Sequence, residues 1–188
     1  MKKVAVLLAE GFEEIEALTV VDVLRRAKIT CDMVSIKNQT VCGAHNIEVK
    51  ADKIIDENIE KYDMVVLPGG LPGADNLAND ESVLEVLRNF SNDKTKYIAA
   101  ICASPAIVLS KAGIEAGKFV TSYPDSEYEK MLEKANYVDE LVVVDNNLIT
   151  SRGPATTMLF AYKIVDILDG NSKELKEGML WNKLEAEE

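Results

Sequence analysis

The chain contains very little histidine, one residue in 188, and three cysteines. The cysteines form no C-x-x-C pair and no even set, so the sequence favours neither a disulfide framework nor a structural zinc site. Because His45 is the only histidine, we do not expect a zinc site with cysteine and histidine ligands. No glycine-rich nucleotide-binding spacing is present either. We therefore expect no metal and no cofactor.

Basic residues are also scarce: 21 lysines and arginines stand against 32 acidic residues, giving a net charge of −11. No basic cluster interrupts this acidity, which argues against nucleic acid and anionic membranes as partners. The apolar run 4–9 follows two lysines but is too short for a signal peptide, and no run reaches the length of a membrane span. We expect a cytoplasmic protein.

What the chain does contain is short apolar runs that alternate with helical patterns. Its 188 residues suffice for one domain, 1–188, with a sizeable core. This alternation predicts a single α/β domain with a doubly wound parallel sheet and helices on both faces. We predict strands over 2–9, 30–36, 62–67, 97–101 and 119–122, a hairpin over 141–151, and a polar hairpin that leaves the main sheet and runs to about residue 50. We predict helices over 14–28, 54–61, 80–90, 126–135 and 155–168.

One corner of this pattern carries a thiol. The run 97–101 is followed by Cys102, by small residues, and by Pro105 at a first helical position. Small residues two positions to either side, Ala100 and Ser104, allow the close chain crossing of a nucleophile elbow. A thiol there lies near a helix N-terminus, which favours the thiolate. The alternative is that Cys102 is a small core hydrophobe, the commoner fate of cysteine.

Two other loops follow predicted strands and should meet Cys102 at the carboxyl edge of the sheet, where function collects in such folds. In loop 68–73, Gly69 and Gly70 can present backbone amides to a bound oxygen, with the Ala103 amide as a second donor, or the glycines simply make a tight turn. In loop 10–14 and the helix start, three glutamates are candidates for a proton carrier or for dipole-matched surface charge; they are Glu13, Glu14 and Glu16. Periodicity does not choose among them.

Five segments, in order, together give the chain a resemblance to a known group. They are 11–17 (GFEEIEA), 21–27 (VDVLRRA), 65–70 (VVLPGG), 99–103 (AAICA) and 150–154 (TSRGP). On these segments the chain resembles the ThiJ/PfpI superfamily, in its DJ-one branch. The resemblance implies a flavodoxin-like fold and a homodimer built partly from the first helix.

The resemblance also implies roles for individual residues. It makes Cys102 the reactive, oxidation-sensitive cysteine and selects Glu14 as the protonated partner of its thiolate. It places Gly69, Gly70 and Ala103 as amide donors around the pocket. It lines the pocket with Tyr123, Pro154 and Arg152, the last near the mouth and the dimer contact; a loop-bracing arginine is an equal alternative.

Two departures from the resemblance narrow the chemistry. Tyr123 stands where many relatives carry a pocket histidine, and tyrosine is a poor base near neutral pH. Ala103 directly follows the cysteine where protease-like branches carry histidine, which argues against a Cys-His protease. The lone His45 lies in the polar excursion, where a surface role is favoured.

Two functional hypotheses follow. In the first, Cys102 adds to a small reactive carbonyl or a glycated amine, and Glu14 shuttles the proton in a glyoxalase- or deglycase-like reaction. In the second, Cys102 is oxidised to a sulfinate and the protein is a redox sensor or chaperone-like protein without significant turnover.

Overall fold

The computed structural model describes residues 2–185, and its centre is a seven-stranded sheet in the order β10-β11-β7-β6-β1-β2-β5. Every neighbouring pair is parallel except β10 and β11, which form an antiparallel hairpin at one edge. The strands of this sheet are β1 (Lys3–Leu8), β2 (Thr30–Ser35), β5 (Lys53–Ile54), β6 (Met64–Leu67), β7 (Tyr97–Ile101), β10 (Val142–Asp145) and β11 (Leu148–Ser151). The predicted doubly wound α/β fold is confirmed.

The central strands are apolar throughout because both faces of the sheet are covered. β1 is buried from Val4 to Leu8, and β6 is buried at all four positions. Such continuous burial is typical of parallel strands between two helical layers. One layer contains α1 (Glu14–Arg26), α6 (Thr157–Ile167) and α7 (Ser172–Gly178), and the other contains α2 (Gly73–Ala78), α3 (Glu81–Asn92), α4 (Ser110–Ala112) and α5 (Ser126–Met131). A short α8 (Trp181–Glu185) follows α7.

Two small sheets lie outside the main one. The polar excursion is a hairpin of β3 (Thr40–Cys42) and β4 (Glu48–Lys50), as predicted, and β8 (Phe119–Val120) pairs with β9 (Asn136–Tyr137). The predicted helix over 54–61 is wrong in its first part: β5 ends at Ile54, and a 3₁₀ helix follows over Glu57–Lys61. Helix α2 was not predicted, because its start, Gly73, belongs to a segment rich in turn residues.

Helix ends follow the usual capping chemistry. Asp80 accepts hydrogen bonds from the amides of Ser82 and Val83 at the start of α3, which buries Val83, Leu87 and other apolar residues on one face.

In the part of the chain that the structure describes, no helix combines the length and apolarity needed to cross a bilayer.

Candidate functional site

The three loops predicted to meet at the carboxyl edge of the sheet do meet there. The amide of Glu13 donates to the carbonyl of Gly69 over 2.9 Å, and the amide of Gly73 donates to the carbonyl of Gly11 over 3.2 Å. A methyl group placed on Gly69 would come within 2.7 Å of Cys102 Cβ. The fold therefore brings Cys102, the loop 68–73 and the start of α1 into direct contact.

Cys102 occupies a strained corner between β7 and the helix that follows. Its φ is +64°, a left-handed conformation that non-glycine residues rarely adopt. Its amide donates to the carbonyl of Ser151 over 3.1 Å, and its carbonyl accepts from the amide of Tyr123 over 2.8 Å. A π-helical turn, Pro105–Leu109, then leads into α4. This is the elbow that the sequence predicts, with the half-buried thiol held at the turn.

The carboxyl group against this thiol belongs to Glu16. Its side chain is fully buried on the first turn of α1, and its Oε2 accepts a 2.7 Å hydrogen bond from the amide of Gly69. Burial raises the pKa of Glu16 to about 7, and the nearby Glu13 charge adds to the rise, against the lowering effect of the Gly69 amide and the Cys102 thiol. The other carboxyl oxygen of Glu16, Oε1, is buried and has no hydrogen-bond partner among the described residues. That oxygen is free to carry a proton.

Burial also raises the pKa of the Cys102 thiol, and the charge of Glu16 raises it further, while the amides of Ala103 and Gly70 lower it. The expectation that this corner favours an isolated thiolate is therefore wrong while Glu16 is ionised. The two groups are coupled: a proton on Glu16 removes the repulsion and provides a donor to the sulfur. The site is best described as a thiol and a carboxyl group that share one proton.

The structure corrects the choice of Glu14 as the thiol's partner. Glu14 turns towards the β3–β4 hairpin, where its Oε1 accepts from the amide of His45 over 2.7 Å and its Oε2 lies 2.8 Å from His45 Nδ1. Burial opposes ionisation of Glu14, but the hydrogen bonds from His45 outweigh it and lower the pKa. Two positions along a helix are about 200° apart around its axis, so Glu14 and Glu16 point in different directions.

A sequence signal for Glu16 existed. It precedes Val20 and Val23 by four and seven positions, and both valines are fully buried. A helical stripe that begins at Ile15 would point the wrong way, because Ile15 is 54% exposed. A helical pattern aligned on Val20 and Val23 would have placed Glu16 on the face of α1 that packs against the sheet.

The predicted amide donors divide into two groups. The amides of Gly70 and Ala103 face the sulfur and lower its pKa, as an oxyanion-binding pair would. The amide of Gly69 instead donates to Glu16, so its assignment as a donor to the pocket is wrong. Gly69 is needed for another reason, since any side chain there would collide with Cys102 and Glu16.

The remaining predicted pocket residues lie around the elbow with different contacts. The Tyr123 ring packs beside Gly153 and is 45% exposed, and Pro154 starts a 3₁₀ turn that leads into α6. Arg152 pairs with Asp139 and donates to the Tyr137 hydroxyl over 3.3 Å. Arg152 thus braces the loop between β9 and β10.

Tyr128, on α5, was not identified from the sequence. Burial raises the pKa of its phenol, and the charge of Cys102 contributes to the rise, so the phenol lies within electrostatic range of the thiol. No motif marks it, because α5 reads as a charged, solvent-facing helix.

A second cluster of titratable groups lies beside the first, at the start of α1. His45 Nδ1 is 2.8 Å from Glu14 Oε2 and 3.8 Å from Glu13 Oε1. The hydrogen bond to Glu14 raises the pKa of His45. Glu13 also caps α1, because its Oε2 accepts from the amide of Glu16. Among the described residues, this is the group of ligand-type side chains close enough to hold a metal ion.

Comparison with known proteins points to one family. The family model described as "DJ-1/PfpI family" matches residues 2–167. Drosophila melanogaster protein DJ-1alpha is 41% identical over 186 residues, covering 96% of this chain and 84% of that protein. The glutathione-independent glyoxalase DJ-1 of Schizosaccharomyces pombe is 30% identical over 182 residues, covering 92% and 94% of the two chains.

The similarity extends to three dimensions. The crystal structure of Drosophila melanogaster DJ-1beta superposes with a TM-score of 0.89 at 40% identity, covering 96% of this chain and 98% of that one. Some relatives are longer: Arabidopsis thaliana protein DJ-1 homolog B is 38% identical, but the chain spans 40% of its length.

Proposed function

The chain belongs to the DJ-1/PfpI family, and from its site we propose a cysteine-dependent, glyoxalase-type enzyme that acts on small 2-oxoaldehydes. The observation that carries the proposal is the contact between Cys102 and the buried Glu16, whose pKa of about 7 suits proton transfer near neutrality. The glyoxalase name of the Schizosaccharomyces pombe relative supports the reaction class.

The reaction can be written for methylglyoxal. The Cys102 thiolate forms a bond to the aldehyde carbon, and the new alkoxide receives a proton from Glu16. The amides of Gly70 and Ala103, which lie against the sulfur, would stabilise the developing charge. Ionised Glu16 then removes the proton from that carbon and returns it to the neighbouring carbon, while the hydroxyl proton passes to the neighbouring oxygen through an enediol, which converts the hemithioacetal into a lactate thioester. Water cleaves the thioester, releasing lactate and the thiol.

This sequence of steps needs no external oxidant, because one carbon is oxidised while its neighbour is reduced. The same nucleophile and proton carrier could remove such an adduct from a glycated protein amine. Tyr123, which is exposed beside the elbow, would contact substrate at the mouth.

The test is lactate formation from methylglyoxal by wild type and four variants. We expect Cys102→Ala and Glu16→Gln to abolish turnover, whereas Glu10→Gln, at an exposed glutamate in the loop before α1, should retain it. Lactate formation that survives Cys102→Ala would contradict the proposal. If Glu14→Gln abolished turnover and Glu16→Gln did not, the proton carrier would be Glu14 and the geometric assignment would be wrong.

Redox sensing is the second candidate, favoured by the different environments of the thiols. Cys102 is half-buried at the elbow, whereas Cys31 is buried. Two equivalents of peroxide would convert the Cys102 thiolate to sulfenate and then sulfinate, releasing water, with protonated Glu16 donating to a sulfinate oxygen. Mass spectrometry after mild peroxide treatment tests this: oxidation of Cys31 or Cys42 before Cys102 would remove its basis.

We also propose a homodimer that uses the outer face of α1. Ile15 is 54% exposed there, next to the partly exposed Leu18. Burying such apolar area against a second copy would stabilise the pair. Light scattering should give twice the chain mass for wild type and a shift towards monomer for Ile15→Glu; an Ile15→Glu protein that remains fully dimeric would place the interface elsewhere.

A further inference from the structure

We propose that Glu13, Glu14 and His45 form a binding site for a divalent first-row transition-metal ion, next to the Cys102 pocket and separate from it. One ligand atom from each residue lies within 4.8 Å of the other two. Carboxylate and imidazole are ligands that such ions accept. This differs from the expectation of no metal, which considered zinc sites built from cysteine and histidine.

Among the described residues, the two buried carboxylates have only His45 as a positive partner, and one charge does not balance two. The side chains of Glu13 and Glu14 are 10% and 5% exposed. Among the residues that the structure describes, no lysine or arginine forms an ion pair with either of them. Buried carboxylates are normally paired with a cation or bind a metal. A divalent ion would balance both negative charges.

The ligand atoms are also oriented for a common ion. Glu13 Oε2 accepts a hydrogen bond from the Glu16 amide, whereas Oε1 accepts none from the residues that the structure describes and lies 3.8 Å from His45 Nδ1. Nδ1 is 2.8 Å from Glu14 Oε2. Ligand atoms at about 2.1 Å from a metal sit roughly 3.0–3.4 Å apart, so small side-chain shifts suffice. His45 is 68% exposed and free to adjust.

The hairpin backbone is built to bring these groups together. A methyl group on Gly43 would lie 2.3 Å from Glu14 Oε1, so the close approach of the hairpin to Glu14 requires glycine there. The amide of Ala44 donates to the carbonyl of Phe12 over 2.9 Å, which ties the hairpin to the start of α1. A bound ion would fasten the same two elements.

Mn²⁺ is the probe of choice, because it prefers oxygen and nitrogen over thiolate ligands. Electron paramagnetic resonance of the metal-stripped, tag-free full chain should show one Mn²⁺ bound. His45→Asn and Glu13→Gln should each weaken binding at least about tenfold, as loss of metal-site partners typically does. Glu48→Gln, an exposed glutamate on the same hairpin, should leave it unchanged.

Two further measurements keep the test independent of any folding defect in a variant. His45 is the only histidine, so its ring protons should be the imidazole resonances broadened by substoichiometric Mn²⁺. Gly43→Ala keeps every ligand but displaces Glu14, and should weaken binding as well. No Mn²⁺ binding at millimolar concentration, or binding unchanged in His45→Asn, would overturn the proposal and leave protonated His45 as the sole counter-charge. With Co²⁺, a sulfur charge-transfer band would place the ion on a cysteine and overturn it equally.

Discussion

Gly69 lies directly against the side chain of Glu16: the Gly69 amide donates to Glu16 Oε2 over 2.7 Å, and a methyl group added to Gly69 would lie 2.8 Å from the same oxygen. The same methyl group would lie 3.1 Å from Cys102 Sγ. The residue therefore orients the buried carboxyl group and leaves space for the sulfur.

Gly69→Ala should damage the site by separating its two reactive groups. The added carbon must displace Glu16 or Cys102, and overpacking of this kind typically costs about 1–3 kcal/mol of folding free energy. We expect a lower free energy of unfolding and a large loss of methylglyoxal turnover. Gly178→Ala is the control, since a methyl group there meets open space. Wild-type turnover in Gly69→Ala would show that the close contact is not required.

Cys102 should be a source of strain that glycine relieves. At φ +64°, a non-glycine residue costs roughly 1–2 kcal/mol relative to its preferred conformations. Cys102→Gly should therefore unfold at higher denaturant concentration than Cys102→Ala, because both variants lose the sulfur and only one keeps a Cβ. Chemical denaturation of the two proteins measures the difference. A less stable Cys102→Gly would mean that the surrounding contacts remove the strain.

Much of the fold follows from the sequence because apolar runs such as 62–67 and 97–101 have the length and composition of buried strands. The convergence of the loops was predictable too, since parallel strands end at one edge. Side-chain direction was not. Choosing Glu16 over Glu14 needs the helix register, and the use of the Gly69 amide by Glu16 depends on a contact between residues 53 positions apart. Local patterns do not encode such a contact.

Arg152→Ala should loosen a loop and leave the chemistry intact. The guanidinium contacts Asp139 and the Tyr137 hydroxyl, which belong to the segment between β9 and β10. Limited proteolysis should cut residues 137–142 faster in the variant, whereas the rate of Cys102 alkylation should stay at the wild-type value. A strongly reduced alkylation rate with unchanged proteolysis would instead favour the pocket-mouth role implied by the family resemblance.

The stability of the protein should depend on pH through Glu16. Its pKa rises from 4.5 to about 7 on folding, so in this range the folded chain binds a proton that the unfolded chain has lost. The stabilisation by neutral Glu16 is therefore complete below about pH 4.5 and is lost as pH rises towards 7. At about 1.4 kcal/mol per pKa unit, the full change is roughly 3 kcal/mol.

Glu16→Gln removes this titration, so the comparison with wild type isolates it. Denaturant unfolding in EDTA from pH 4.5 to 8 should show wild type losing stability relative to Glu16→Gln up to pH 7, and no further divergence above it. Glu10→Gln should follow the wild-type slope, because Glu10 is exposed. Parallel curves for wild type and Glu16→Gln would mean that Glu16 is ionised across the whole range. Glu16 could then not donate a proton to the Cys102 sulfur, and the description of a thiol and a carboxyl group that share one proton would be wrong.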